Sequence, residues 1–358
     1  FGTDPLLNNT ILSTISFSFI IEYQVRPYLK PDDLEIYRIS VDRDGDIDCH
    51  YFSEHEWQAC LFSDIELPQH VIGYASGLNE NLQRSFLKNA VQYFDVMRIR
   101  ANRRKKLASD IDEQEADDID RHYLQRYPGI FGGKTKPEQG EIERTLIVEK
   151  DTDIPASIFL DYDCNALLMA SLAILPNERL DEIFPEISYR YPHSICIQYN
   201  FRGVPVEEDA IRDISQLIAL VGNDSVVGVS KRTSDEEYDL YSLDYLAATI
   251  QIDLTNNVLR ERFSEQYYGL PIRLFEKLYK IQLLGVQYWQ SEDRKRLRDD
   301  GFFDTVKKPL KGKLPLAVTE LKLSNGIGVI DFDDLSDGEA QLVQVLSAAQ
   351  IFSPSISL

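Results

Sequence analysis

Leu335-Ser336-Asp337-Gly338-Glu339-Ala340-Gln341 is the stretch that decides how this chain is read. It follows Leu321 to Phe332, where the residue pattern predicts a β-arch, and it opens an apolar run from Glu339 to Phe352 that predicts a helix. A small Ser-x-Gly loop is therefore expected at a helix N-terminus. First-turn amides have no partner inside a helix and carry the positive end of its dipole, so a phosphate there would accept from them, with the Ser336 hydroxyl as a further donor. Gly338 would let a ligand come close to the backbone, because it carries no Cβ. Ser336-x-x-Glu339 is also a capping box, in which serine and glutamate satisfy each other's amides, and such boxes open many helices that bind nothing.

The longer pattern carries more. Leu-Ser-x-Gly-Glu-x-Gln, followed by a helix apolar on nearly every side (Leu342, Val343, Val345, Leu346, Ile351, Phe352), resembles the signature loop of the ABC-type ATPases, including their SMC-like and OLD-like soluble branches. The resemblance implies that Leu335, Ser336, Asp337, Gly338, Glu339 and Gln341 act on nucleotide in trans. Ser336 and the amides near Gly338 would reach the γ-phosphate of ATP held by a second copy, while Glu339 and Gln341 brace the loop. It also implies ATP and Mg2+ as cofactors, ATP hydrolysis as the reaction, and a homodimer with nucleotide sandwiched between its heads. The chain contains no G-x-x-x-x-G-K-[ST] phosphate loop, and no acidic pair follows the short strand expected at Ser353 to Leu358. The resemblance places both motifs outside this chain. It therefore reads as the interior of a longer ATPase, inactive alone, with its catalytic residues elsewhere.

A chain of 358 residues and 41.2 kDa with 43% hydrophobic residues can bury a full core and has room for two or three domains. The longest apolar runs, Ile11 to Ile21 and Ala166 to Leu175, are too short to span a bilayer, so no membrane partner is expected. Cys49, Cys60, Cys164 and Cys196 form no C-x-x-C pair and stand in unlike sequence surroundings, which predicts a reduced, cytoplasmic setting. A net charge of −21 argues against broad, non-specific nucleic-acid binding. Asp42, Asp44 and Asp46 flank Gly45 as in a calcium loop but lack its spacing and distal glutamate, so they read as a hairpin turn, and no metal site is expected.

Taken in order, Thr10 to Val25, Leu34 to Val41 and Ile47 to Phe52 predict strands of a small antiparallel sheet. Val71 to Tyr74 predicts a strand that breaks into a Ser-Gly loop before a helix, Leu82 to Met97. In the resembled family a polar side chain at this junction reaches the magnesium; no glutamine stands here, and Ser76, Asn79 and Glu80 are the candidates, Asn79 serving equally as a helix cap. Arg98 to Lys106 holds six basic residues in nine, and Asp110 to Asp120 seven acidic residues in eleven, a charged linker in which Arg103, Arg104, Lys105 and Lys106 are candidates for DNA contact. Gly132-Gly133-Lys134-Thr135 echoes a phosphate loop but lacks its first glycine at the right distance.

Further strands are expected at Arg144 to Glu149, Ser157 to Leu160, Ser194 to Asn200, Tyr238 to Leu243 and Thr249 to Leu254. Helices are expected at Ala166 to Leu175, capped by Asp161-Tyr162-Asp163, at Glu207 to Leu220 with Ile211, Ile214, Leu217 and Ile218 on one face, and at Pro271 to Arg298. The run IFLDYDCNALLMASLAIL also resembles ATPases associated with bacterial restriction systems.

About 250 residues separate Glu80 from Leu335, without the sustained heptads of a coiled-coil arm. The expected fold class is α/β to α+β. It comprises an ABC-type ATPase core with an N-terminal antiparallel β lobe (1–97), a large compact inserted α+β domain (98–315, with the charged linker 98–140) and a return to the core (316–358). The resemblance then implies an anti-phage or restriction-linked ATPase that regulates a nuclease or other DNA-acting effector. The alternatives are a non-enzymatic scaffold domain and a DNA-repair ATPase that recognises DNA ends.

Overall fold

A computed structural model describes residues 18–25, 34–42, 46–65, 71–74, 86–95, 97–98, 154–155, 157–161, 164–204, 206, 208–231, 243–298 and 313–352. The chain divides into two compact units, one of 1–71, 121–150 and 155–157, the other of 72–120, 151–154 and 158–358.

The first unit is an antiparallel meander of four strands in sequence order: β1 (Phe19–Val25), β2 (Glu35–Val41), β3 (Ile47–Ser53) and β4 (Glu56–Ala59). Alternation puts Tyr37, Cys49 and Ile65 in one buried cluster, with Tyr23, Val25, Ile39, Cys60 and Phe62 packed against it. Arg38 pairs with Glu22 at 2.6 Å and lies 4.0 Å over the Trp57 ring. Asp42 accepts the Asp46 amide at 2.9 Å, so these two aspartates close the β2–β3 hairpin, as the sequence predicts. Glu54 and His55 adopt φ of 50° and 71°, the left-handed pair that a two-residue hairpin requires between β3 and β4. The strand expected from Thr10 is described from Phe19 onward.

The second unit is built on a five-stranded, wholly antiparallel sheet of order β11-β10-β7-β9-β8. Its strands are β7 (Tyr191–Asn200), β8 (Val226–Lys231), β9 (Tyr245–Asp253), β10 (Leu316–Ser324) and β11 (Val329–Asp331). A two-stranded sheet pairs β5 (Val71–Tyr74) with β6 (Ser157–Leu160). Described helices are α1 (86–95), α2 (Asn165–Ser171), α3 (Asn177–Ile183), α4 (Glu208–Val221), α5 (Asn257–Gln266), α6 (Pro271–Leu283), α7 (Ser291–Arg298) and α8 (Asp337–Phe352). Every residue of α2 is buried, and it packs against α6, α8 and β10 at the centre of this unit. Helices and antiparallel sheets make the chain α+β. No described helix is long and apolar enough to cross a membrane.

Several local expectations change. The sheet runs across the boundary expected at 315/316, since β10 pairs along most of its length with β7. At the start of α2 Cys164 is the cap residue, and its amide donates to the Asp161 backbone carbonyl at 3.0 Å; of the expected cap, Tyr162 and Asp163 lie outside the described residues. The helix expected over Pro271 to Arg298 is three pieces, with a 3-10 turn over Leu284–Tyr288 and extended backbone at Trp289. Gly285 lies in that turn, where a Cβ would come within 2.7 Å of the Leu314 side chain. The expected strand at Tyr238 to Leu243 and that at Arg144 to Glu149 fall on positions that are outside the described residues, Leu243 excepted.

Candidate functional site

The loop from Leu335 to Gln341 is positioned by the β10–β11 hairpin on one side and α8 on the other. The hairpin closes on Asn325, whose Oδ1 accepts the amides of Ile327 and Gly328 at 2.9 and 2.8 Å, while Gly326 takes a φ of 87°. A single 3-10 turn, Phe332–Asp334, follows β11; Phe332 and Leu335 bury their side chains and so fix where α8 begins.

The capping box is formed. The Ser336 hydroxyl and amide both donate to Glu339 Oε2, at 2.7 and 3.0 Å, and the Glu339 amide donates to the Ser336 hydroxyl at 3.3 Å. These bonds from Ser336 hold the Glu339 carboxyl below its usual range. A depressed carboxylate stabilises the fold above its unfolded pKa and ceases to do so as pH falls through the folded value. Ser336→Ala should therefore cost about 1 kcal/mol at neutral pH. That difference should shrink as pH falls through the lowered folded pKa of Glu339, a convergence that thermal melts across pH would read directly.

Ser336, Asp337 and Gly338 are exposed, and a Cβ built on Gly338 meets nothing within 4 Å. The amides of Asp337 and Gly338 have no acceptor within the helix. The face they occupy is acidic: Asp331, Asp333, Asp334, Asp337 and Glu339 fall within nine residues. Lys322, opposite Asp331 in the β10–β11 ladder, is engaged by Glu320 at 3.0 Å, which raises its ammonium pKa. An anion at this N-terminus is thus attracted by the amides and repelled by the carboxylates, and binding requires a counter-charge brought with it.

The helix behind the loop is held from one side. Ala340, Val343, Gln344, Ser347 and Ile351 are buried, and the Gln344 amide donates to the carbonyls of Leu160 and Asp161 at 2.9 and 3.2 Å. Phe352 packs edge-on against Phe275 with ring centroids 5.3 Å apart. On the other side Leu342 and Val345 stay 45% and 41% exposed, with Ala349 in the same stripe, so the apolar character read all round the helix divides into a core face and an open one. Gln344 was not distinguishable from an ordinary surface glutamine in the sequence, since its two acceptors lie more than 180 residues earlier.

Of the other sequence candidates, Ser76, Asn79, Glu80, Arg103, Arg104, Lys105, Lys106 and the 132–135 loop lie outside the described residues. Among the described residues no group of three or more His, Cys, Asp or Glu side chains could hold a metal ion.

A second polar feature emerges in the helical layer. Asp213 on α4, its side chain 4% exposed, is flanked on α6 by Lys277, which donates to Oδ1, and by Lys280, whose ammonium lies 2.6 Å from Oδ2 without hydrogen-bond alignment. The buried Tyr267 hydroxyl has its pKa raised, first by burial and then by the Asp213 charge. Nothing in the sequence marks this trio, because Asp213 sits inside the apolar stripe of an ordinary amphipathic helix.

No family model, no curated protein and no solved structure matches this chain.

Proposed function

We propose that this chain is part of a cytoplasmic ABC/SMC-like ATPase of the OLD-like, restriction-associated type, which dimerises on ATP and regulates a nuclease or other DNA-acting effector in bacterial anti-phage defence. One observation carries the reading: the residues that resemble a signature loop open α8 at its N-terminus, with Ser336, Asp337 and Gly338 exposed and the space beside Gly338 clear. The Ser336 hydroxyl and the first-turn amides suit a terminal phosphate presented by a second copy. No described donor set suits Mg2+, so the metal's ligands are assigned to residues outside those described.

The task left to this chain is positioning. Mg-ATP, itself an anion, would supply the phosphoryl group, its Mg2+ offsetting only part of the phosphates' own charge, so the first-turn amides and cationic groups outside the described residues would have to outweigh the five carboxylates. Glu339 and the buried Gln344 keep the loop and its helix in register. Such a surface works by orientation and electrostatic complementarity to a phosphoryl group. Leu342 and Val345, open beside the loop, would be covered in the dimer.

Ser336→Arg in the full-length gene product tests this. It should abolish ATP-driven dimerisation, read by light scattering, while the melting transition moves only as far as the loss of one cap allows, about 1 kcal/mol. An unchanged ATP response would sink the proposal. The closed capping box favours a second reading, a scaffold domain in which Ser336 only starts a helix; that reading predicts no ATP response in either protein.

A further inference from the structure

Cys49 and Cys60 face one another across the β3–β4 hairpin. The ladder pairs His50 with Ala59, and one step along it the Cys60 amide donates to the Cys49 carbonyl at 2.9 Å, so the two cysteines stand directly opposite at a hydrogen-bonded position. Such a position holds Cα atoms about 5.5 Å apart, within the range a disulfide bridges. Opposed residues project to the same face of a sheet, and both side chains belong to one cluster with Tyr37 and Ile65. Neither thiol is in a disulfide. The sequence expectation of unlike surroundings is thereby corrected: β3 and the end of β4 place these two cysteines together, eleven positions apart in the chain.

We propose that Cys49 and Cys60 are a reversible two-electron redox site, closing to an intrachain disulfide when the protein meets a peroxide. Cys60, only half-buried, is the sulfur that the oxidant reaches, and Cys49, buried, is the resolving thiol. The Cys60 thiolate attacks one peroxide oxygen; the O–O bond breaks, water leaves after taking up a proton, and a sulfenic acid remains on sulfur. The Cys49 thiolate then attacks that sulfur, forming the S–S bond and expelling the sulfenic oxygen as a second water. Two thiols and hydrogen peroxide give one disulfide and two waters, and a small dithiol returns the pair to its reduced state.

The surroundings set the pace. Burial raises both thiols, the Cys49 thiol to about 11; the charge of Cys60 and then of Asp48 adds to the rise at Cys49, and Asp64 to that at Cys60, while among the described residues of the cluster Tyr23 and Tyr37 also titrate. Thiolate is therefore scarce at neutral pH, and the rate of closure should rise about tenfold per pH unit between pH 7 and pH 8.5.

The test is to treat the full chain with excess hydrogen peroxide at pH 8.5, block free thiols with N-ethylmaleimide, digest, and map peptides by mass spectrometry. The expected product is a single cross-linked pair joining Cys49 to Cys60, two hydrogens lighter than the reduced peptides and lost after dithiothreitol, with Cys164 and Cys196 alkylated. Cys60→Ser should abolish the cross-link and leave Cys49 alkylated. Recovery of both cysteines as free thiols, of Cys60 as a sulfinic acid, or of cross-links to Cys164 or Cys196 would each overturn the proposal.

Discussion

Asp213→Ala should destabilise the second unit by about 3–5 kcal/mol, because it strips two ammonium groups of their counter-ion inside the helical layer. The two lysines are not equivalent. Lys277, with a third of its side chain exposed, can turn its head toward water, whereas Lys280 at 9% cannot do so without moving its helix. The loss therefore falls mainly on Lys280. Urea unfolding should show a lower midpoint with a similar slope, and the double change Asp213→Leu with Lys280→Met should regain most of the loss, since an apolar pair does not need the compensation a buried charge needs. A loss below 1 kcal/mol in the single variant would mean that Lys280 reaches solvent and that the trio is a surface feature.

Gln344→Leu should cost about 2–4 kcal/mol, the penalty of leaving the Leu160 and Asp161 carbonyls without their donor while keeping a side chain of similar volume. The two bonds tie the middle of α8 to the end of β6, so the loop at the head of α8 should loosen as well. Faster hydrogen exchange in the first turn of α8, alongside the lower midpoint, would report that link. A variant as stable as the parent, with unaltered exchange, would show that water replaces the amide and that Gln344 does not fix the loop.

What the sequence disclosed and what it hid follow from the range of the interactions concerned. Ser336 and Glu339 are three residues apart, so their capping box is a local event and was readable as such. The stripe Ile211, Ile214 and Leu217 was readable for the same reason: its period belongs to the helix itself. Asp213 lies in that helix too, yet its meaning comes from lysines 64 and 67 positions later, which no local pattern reports. Gly285 lies in the 3-10 turn that divides the expected helix, and the side chain it makes room for, Leu314, is again distant in the chain. β4, with sequence Glu-Trp-Gln-Ala, shows no alternation of burial and was missed. β8 was missed as well: it is an edge strand whose Gly228 lies under the Tyr245 ring. The start of α5 carries a local signal in Asn256, whose side chain accepts the amides of Val258 and Leu259 at 3.0 and 3.3 Å. The loop's proposed ligand belongs to neither category, since on that proposal the groups that complete the site would come from a second copy.

The most direct test is hydrogen exchange of the peptide spanning Phe332 to Leu342 in the full-length gene product, with and without a non-hydrolysable ATP analogue and Mg2+. Nucleotide should slow exchange of the Asp337 and Gly338 amides at least tenfold, at the protein concentrations where the particle mass doubles. Unchanged exchange across this loop, with nucleotide bound elsewhere or not at all, would contradict the proposed function and leave Ser336 as a helix cap.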